Sequence, residues 1–369
     1  MRTRRRRLIP IVGVSCSCFS MCRVFGDASD AEIHESAPPI FSFIMKKFFF
    51  SLVALVCATM CFAQSSRLAT LSHDGKVSTF YGASALRDAH DAASNGDIIT
   101  LSSGSFNAVT IKKALTIRGA GMLMDTVNAT LPTIITGDFN IEIPDTVSQH
   151  LTLEGIYSNH NITVYNILQS PKFLKCRFKE FRTPSNNDQY NVVNAQFIHC
   201  NIINELSLTT NSSASLINCV IYSTHCDNSN LINCIVKRAM SIFSSTLYNC
   251  ILGSGNLSSN DIAYNCVGID GKYMFSYVPQ NNTNKLSTYE EVFKTYRGGN
   301  VMTDSDNFEL TDEAKKKFLG IDDTEVGIYG GMLPYDPTPS NPQITKCNVA
   351  KKSTADGKLS VDIEVKAAE

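Results

Sequence analysis

Glu180 and Glu205 are the acidic side chains whose spacing could support chemistry. Glu180 follows Cys176 by four residues and Glu205 follows Cys200 by five, within two copies of one recurring motif. If the copies stack as parallel strands, the carboxylates could lie at one corner of adjacent coils, roughly one strand spacing, ~4.8 Å, apart. That spacing approaches what retaining glycosidases need. A solvated outer face with two glutamates stacked by chance explains the same pattern.

Four basic side chains belong to the same two motif copies and are candidates for ligand binding: Lys175, Arg177, Arg182 and His199. Between Asp138 and Gly268 there are nine acidic residues, and none falls in an Asp-Asp cluster. The sequence therefore favours binding over catalysis and predicts no catalytic residue. Under an enzymatic alternative, Glu180 and Glu205 are the candidates.

Two His-Cys pairs, His199-Cys200 and His225-Cys226, raise the question of a metal site. Neighbours in a strand face opposite ways, and no second pair is spaced to complete a tetrahedral site. The sequence therefore predicts no metal site and no cofactor.

The elements that carry these residues are short strands that recur with a cysteine at a fixed place. The recurring motif is typical of a solenoid that adds one coil per repeat. Successive cysteines of the motif are separated by 24, 19, 15, 16 and 16 residues. They are Cys176, Cys200, Cys219, Cys234, Cys250 and Cys266.

Strand alternation predicts which side chains point inward. Residues two before and two after each cysteine should share its face, and all but Gly268 are apolar. The residue just before the cysteine is Asn in the last four copies and should point away from the cysteine face. Stacked asparagines would then form a ladder of side-chain amides, unless a bend in the backbone turns them inward. Stacked cysteines have parallel Cβ vectors, so buried free thiols are favoured over disulfides.

The N-terminal region predicts export. Residues 45–63 combine Met45-Lys46-Lys47, an apolar run and a small-residue end, as in a signal peptide cleaved after Ala63. Residues 1–44 are interpreted as upstream sequence translated from a misplaced start. The first 63 residues hold eight of the 33 basic and four of the 34 acidic residues, which leaves 25 and 30. The mature chain is thus acidic, with no electrostatic reason to bind nucleic acid or an anionic membrane.

The N-terminal part of the mature chain resembles a known superfamily. Residues 85–93 predict a helix, with Ser84 as N-cap and Asn95-Gly96 as its end, and strands follow to Gly121. This segment resembles the N-terminal cap and first coil of right-handed parallel β-helix proteins of the pectate lyase-like superfamily. The implied architecture is all-β, a right-handed parallel β-helix over 64–270 with a capping helix near 84–94.

The C-terminal part is expected to differ from the coil. Residues 271–333 predict a closing coil and cap, which resembles the end of secreted bacterial β-helices. Residues 334–342 contain four prolines and predict a stiff linker. Residues 343–369 predict a β-hairpin extension with an Asp356-Gly357 turn, which should dock on the coil or on a partner because two strands alone are marginal.

The resemblance implies two classes of function. The superfamily's enzymes cleave polysaccharides as lyases with a calcium site or as hydrolases with clustered aspartates, and this chain lacks those motifs. We therefore expect an exported, non-catalytic protein, a secreted member of the Bacteroides type, that binds glycan or a host or matrix surface along the solenoid face. The alternative is a polysaccharide lyase or glycoside hydrolase, with Ca²⁺ in the lyase case. The mature chain is expected to be monomeric, without a transmembrane segment, and located outside the cell, on its surface or in the periplasm.

Overall fold

The computed structural model describes residues 67–124, 130–147, 150–184, 189–269, 271, 273–279, 283–299, 303, 306–340, 343–349 and 360–366. The predictions for residues 1–44 and 45–63 lie outside these residues. Within them the chain is a parallel β-solenoid, which confirms the all-β parallel β-helix.

The first half of the described chain contains one helix among short strands. In chain order the elements are β1 (Leu68–His73), β2 (Lys76–Tyr81), α1 (Ala85–Ala92), β3 (Ile98–Leu101), β4 (Gly104–Asn107), β5 (Thr116–Arg118), β6 (Thr133–Thr136), β7 (Phe139–Ile141), β8 (Thr152–Glu154), β9 (Ile156–Val164), β10 (Leu168–Gln169), β11 (Lys172–Leu174), β12 (Arg177–Arg182), β13 (Val192–Val193) and β14 (Ala195–Ile198).

The second half continues the strands and adds two short helices. Its elements are β15 (Asn201–Ser207), β16 (Ala214–Ile217), β17 (Val220–Asp227), β18 (Asn230–Ile232), β19 (Ile235–Phe243), β20 (Thr246–Tyr248), β21 (Ile251–Leu252), β22 (Ile262–Tyr264), β23 (Val267–Ile269), β24 (Lys285–Ser287), α2 (Tyr289–Val292), α3 (Asp312–Lys317), β25 (Gln343–Val349) and β26 (Val361–Lys366).

Two long sheets form the walls of the solenoid. Sheet A has the order β2-β1-β3-β5-β8-β11-β14-β16-β18-β20-β22, and its strands are parallel from β3 onward. Sheet B has the order β4-β6-β9-β12-β15-β17-β19-β21-β23-β24, with β7 pairing beside β9. Strands β10 and β13 form a short parallel pair of their own. Each motif copy contributes one strand to sheet A and the next to sheet B.

The corner between the two sheets is a single residue with left-handed backbone. Its φ is between 48° and 55° in six successive coils, at Lys175, His199, Asn218, Asn233, Asn249 and Asn265. Asparagine tolerates this conformation better than most residues, which explains its repeated use. We call this row the corner ladder.

The corner ladder changes which side chains before each cysteine point into the core, so the prediction for these residues was wrong. Because the left-handed residue breaks the alternation, the residues three before each cysteine point into the core and those two before it point out. The inward row is buried: Phe173, Phe197, Leu216, Leu231, Leu247 and Ala263. The half-buried outward row, predicted to be internal, is Leu174, Ile198, Ile217, Ile232, Tyr248 and Tyr264. The residues two after each cysteine are internal as predicted.

The cysteines confirm the prediction of buried free thiols. All six cysteines of the motif and Cys226 are free and buried. Each motif thiol lies near a carbonyl of the preceding coil, as Cys200 Sγ does at 3.2 Å from Phe173 O. They fill the core beside a stack of phenylalanine rings, among them Phe173 and Phe197 at 4.7 Å between centroids.

Helix α1 confirms the predicted helix, although its Ser84 N-cap makes no side-chain hydrogen bond. Leu86 and Ala89 are buried in the main core. Lys113 Nζ donates to the carbonyls of His90, Asp91 and Ala93, which satisfies the C-terminal end of the helix.

The C-terminal segment 319–340, which we call the strap, returns along the solenoid. Leu319 lies at the corner of Asn265, and Ser340 lies at Glu154, six strands earlier in sheet A. Residues 334–340 were predicted to form a linker, but they lie against the coil within this strap. Strands β25 and β26 then pair antiparallel as the predicted hairpin, while its turn lies outside the described residues.

Candidate functional site

The two predicted carboxylates lie on neighbouring strands of sheet B. Glu180 in β12 and Glu205 in β15 are direct register partners beside a β-bulge, so the predicted stacking is confirmed. Their place is within strands and not at a corner. Glu180 Oε1 accepts a hydrogen bond from Asn204 Nδ2 at 2.5 Å, and Arg182 Nη1 lies 4.0 Å from its other oxygen. A catalytic role for either glutamate stays a prediction.

His225 completes this polar group from the next strand, β17. Its Nδ1 lies 2.9 Å from Glu205 Oε1, and both side chains are partly exposed. In the sequence, His225 was considered only as a possible metal ligand. Its proximity to Glu205 was missed because it depends on a register shift between β15 and β17. An acid-base pair of this kind can accept or donate protons at an open surface.

The two predicted arginines lie on the same sheet but have different environments. Arg177 is buried, and its guanidinium lies 4.9 Å from the centre of the Tyr157 ring. Arg182 is half exposed, and its Nε lies 3.5 Å from Thr163 Oγ1. Arg182 is therefore placed to contact a ligand, whereas Arg177 packs against the protein.

Lys175 and His199 belong to the corner ladder, where both contact the strap. Lys175 Nζ donates to Thr338 O at 2.5 Å and to Asp336 Oδ2 at 3.2 Å. Although burial opposes the effect, hydrogen bonds from Thr338 and Lys175 lower the pKa of Asp336. Sequence reasoning missed these contacts because the partners are more than 160 residues away.

His199 Nε2 lies 3.0 Å from the carbonyl oxygen of Leu333, and its ring meets the Tyr335 ring at 5.9 Å between centroids. Burial lowers the pKa of His199. Burial in this contact between coil and strap therefore favours the neutral form of the side chain. Two of the four predicted binding residues thus hold the strap.

A shallow cavity opens on the outer side of sheet A, at the start of its middle strands. Gln196, Ser215 and Asn230 form one register row across β14, β16 and β18. The cavity has a volume of about 280 Å³, and its lining is Asn194, Ala195, Gln196, Ser213, Ala214, Ser215, Asn228 and Asn230. We call it the amide cleft. Amides and hydroxyls can both donate and accept hydrogen bonds, and no charged side chain belongs to this lining.

The outward apolar row runs beside the amide cleft along sheet A. Ile198, Ile217 and Ile232 stand two residues after Gln196, Ser215 and Asn230 in the same strands and face the same side. Further along, Tyr248 and Tyr264 stack with their centroids 5.5 Å apart. A polar row next to an apolar row is a surface that a hydroxyl-rich ligand with apolar faces can contact. The sequence analysis missed this surface because it predicted that the apolar row points into the core.

Within the residues given above, no group of three or more His, Cys, Asp and Glu is arranged to hold a metal ion. None of the described helices has the length and apolar character needed to cross a membrane.

Comparisons with protein-family models, curated proteins and solved structures gave no match.

Proposed function

We propose that this chain is an exported, non-catalytic β-helix protein that binds neutral glycans on the outer face of sheet A. The observation that carries the proposal is the amide cleft, which offers amide and hydroxyl groups without a charged side chain. Sugar hydroxyls are donors and acceptors at once, so neutral polar side chains can satisfy them without an ionic partner.

The geometry of the cleft favours an extended ligand. Gln196, Ser215 and Asn230 repeat at the spacing of parallel strands, about 4.8 Å. The neighbouring isoleucines offer apolar surface at the same spacing. A glycan chain of a host, a matrix or another cell surface would contact several coils at once, and such repeated weak contacts add to the affinity.

Export, and likeness to the pectate lyase-like superfamily, are parts of the same proposal. Export rests on the signal-peptide pattern of residues 45–63. The superfamily resemblance rests on the cap and first-coil residues of the sequence and is compatible with the parallel solenoid.

The test is a binding screen of the chain from Gln64 onward against neutral and uronic-acid polysaccharides by affinity electrophoresis. We expect retardation by one or more neutral glycans and no release of reducing ends. Retardation confined to uronic-acid polymers would overturn the assignment to neutral glycans.

A second candidate function is cleavage of an acidic or complex glycan at Glu180 and Glu205. The register pairing of these residues and the contact of Glu205 with His225 favour it. The screen distinguishes it, because turnover that is lost in Glu180→Gln would identify an enzyme and contradict the binding-only proposal.

A further inference from the structure

Strand β2 is the outermost strand of sheet A at its N-terminal end. It pairs with β1 along one edge, and no strand of the described residues pairs with its other edge. Its side chains are unusually open for apolar residues: Val77 is 67% exposed and Tyr81 is 73% exposed. An unpaired edge of this kind presents free backbone donors and acceptors to another strand.

We propose that β2 pairs with β2 of a second copy, antiparallel about a two-fold axis at Thr79. A two-fold antiparallel pair must place one residue opposite itself, because only then do opposite side chains share a face. With Thr79 at the centre, Val77 lies opposite Tyr81 of the second copy, and Ser78 lies opposite its Phe80.

The side chains of β2 suit this register. Ser78 and Phe80 pair with the buried Leu71 and Ala69 of β1, so they lie on the core side. Val77, Thr79 and Tyr81 therefore share the outer face. A Thr79-centred pair gives one Thr-Thr pair flanked by two Val-Tyr pairs, and pairs of a β-branched with an aromatic residue are favourable across strands.

A pair centred on Ser78 would be poorer. It would place Lys76 opposite Phe80 and leave the exposed Tyr81 opposite Gly75. Lys76 is the only charged residue of the strand. In the Thr79-centred pair it lies opposite Gly82 of the second copy, so no like charges face each other. In the Thr79-centred register the strand is thus complementary to itself, which favours a second copy as its partner.

The size of the contact sets its strength. One six-residue strand from each copy buries far less than the roughly 1,600 Å² of a standard stable interface. The dimer is therefore weak and reversible, and the chain is a monomer when dilute, as the sequence led us to expect. Pairing joins two copies of sheet A end to end and doubles the number of glycan-binding faces.

The experiment is sedimentation equilibrium of the chain from Gln64 onward, at concentrations from roughly 10 µM to roughly 1 mM. We expect a monomer-dimer equilibrium that weakens about tenfold or more in Thr79→Lys, because two ammonium groups then face each other. The control is Thr136→Lys, which changes an exposed strand threonine on β6 and should leave the equilibrium unchanged. Equal thermal unfolding midpoints of the two variants check that both remain folded.

Cysteine substitution tests the register. Thr79→Cys is expected to form a disulfide between copies on mild oxidation, whereas Ser78→Cys lies opposite Phe80 and should not. A chain that stays monomeric over the whole range overturns the proposal. So does a dimer that Thr79→Lys leaves intact and Thr79→Cys does not crosslink, since another surface would then be responsible.

Discussion

The side-chain amide of Asn218 donates to the backbone carbonyl of Ile328 at 2.7 Å, across 110 residues of sequence. The same amide also donates to Gly330 O at 2.9 Å. Two later rungs make similar contacts: Asn249 Oδ1 accepts from Ile321 N, and Asn265 Nδ2 donates to Leu319 O, each at 2.9 Å. The corner ladder therefore binds the backbone of the strap instead of stacking only on itself.

Removal of the Asn218 amide should loosen the strap. We expect Asn218→Gly to lower the free energy of unfolding by about 1–3 kcal/mol, because two buried hydrogen bonds are lost while glycine keeps the left-handed backbone. Urea unfolding measures the change. Asn194→Gly is the control: it has the same backbone conformation at φ 54° but lies away from the strap. An equal loss in both variants would contradict a specific role for the amide.

Gly331 should tolerate no side chain. A Cβ there would stand 2.0 Å from Asn233 Nδ2, and φ is +80°. Gly75 has a similar φ of +75° with nothing within 4 Å, so Gly75→Ala isolates the backbone cost. We expect Gly75→Ala to lower the free energy of unfolding by about 1 kcal/mol and Gly331→Ala by roughly 1–3 kcal/mol more, because the buried Asn233 amide or the strap must shift. Denaturation midpoints that coincide for the two variants would contradict a tight contact between Gly331 and the Asn233 amide.

Acidification should weaken the strap through His199. Its folded pKa is lowered by burial, so the unfolded chain binds the proton more readily. The contribution of His199 to the free energy of unfolding is therefore fully present above its pKa in the unfolded chain, about 6.5. It is lost as the pH decreases through the pKa of the folded protein. As the pH falls below about 6.5, we expect His199→Gln to show a shallower loss of unfolding free energy than the wild type. Parallel pH profiles for the two proteins would exclude this role.

The buried cysteines should be unreactive in the folded protein. Burial raises the pKa of Cys176 to about 12 and that of Cys226 to about 11. Cys347 lies in β25, outside the motif, and its replacement leaves only the buried thiols in the chain from Gln64 onward. We expect no reaction of this Cys347→Ser chain with an aromatic disulfide reagent at about pH 8, and full reaction after denaturation, since the thiolate is the nucleophile. Rapid labelling of the native variant would mean that the coils open.

Much of the solenoid could be predicted from the sequence, since the cysteine motif fixes strand, corner and coil in each repeat. The predicted inward or outward direction of side chains was wrong for the residues before the corner. A left-handed residue such as Asn233 shifts the alternation by one, and strand alternation alone does not predict that shift. The strap could not be predicted, because the pairing of Lys175 with Asp336 depends on how a distant segment returns. The spacing from the cysteines was enough to identify Glu180 and Glu205 as stacked. The amide cleft was missed because the predicted parity placed its row, which includes Gln196, on the inner face.

The most direct test of the account is the dissociation constant for the neutral glycan that the binding screen identifies. It should be measured by calorimetry for the wild type, for Gln196→Ala/Asn230→Ala and for Glu180→Gln/Glu205→Gln. We expect the first double variant to bind about tenfold more weakly, through loss of two direct hydrogen bonds, and the second to bind as the wild type does. Unchanged affinity in the amide-cleft variant together with lost affinity in the glutamate variant would contradict the account and place the site on sheet B.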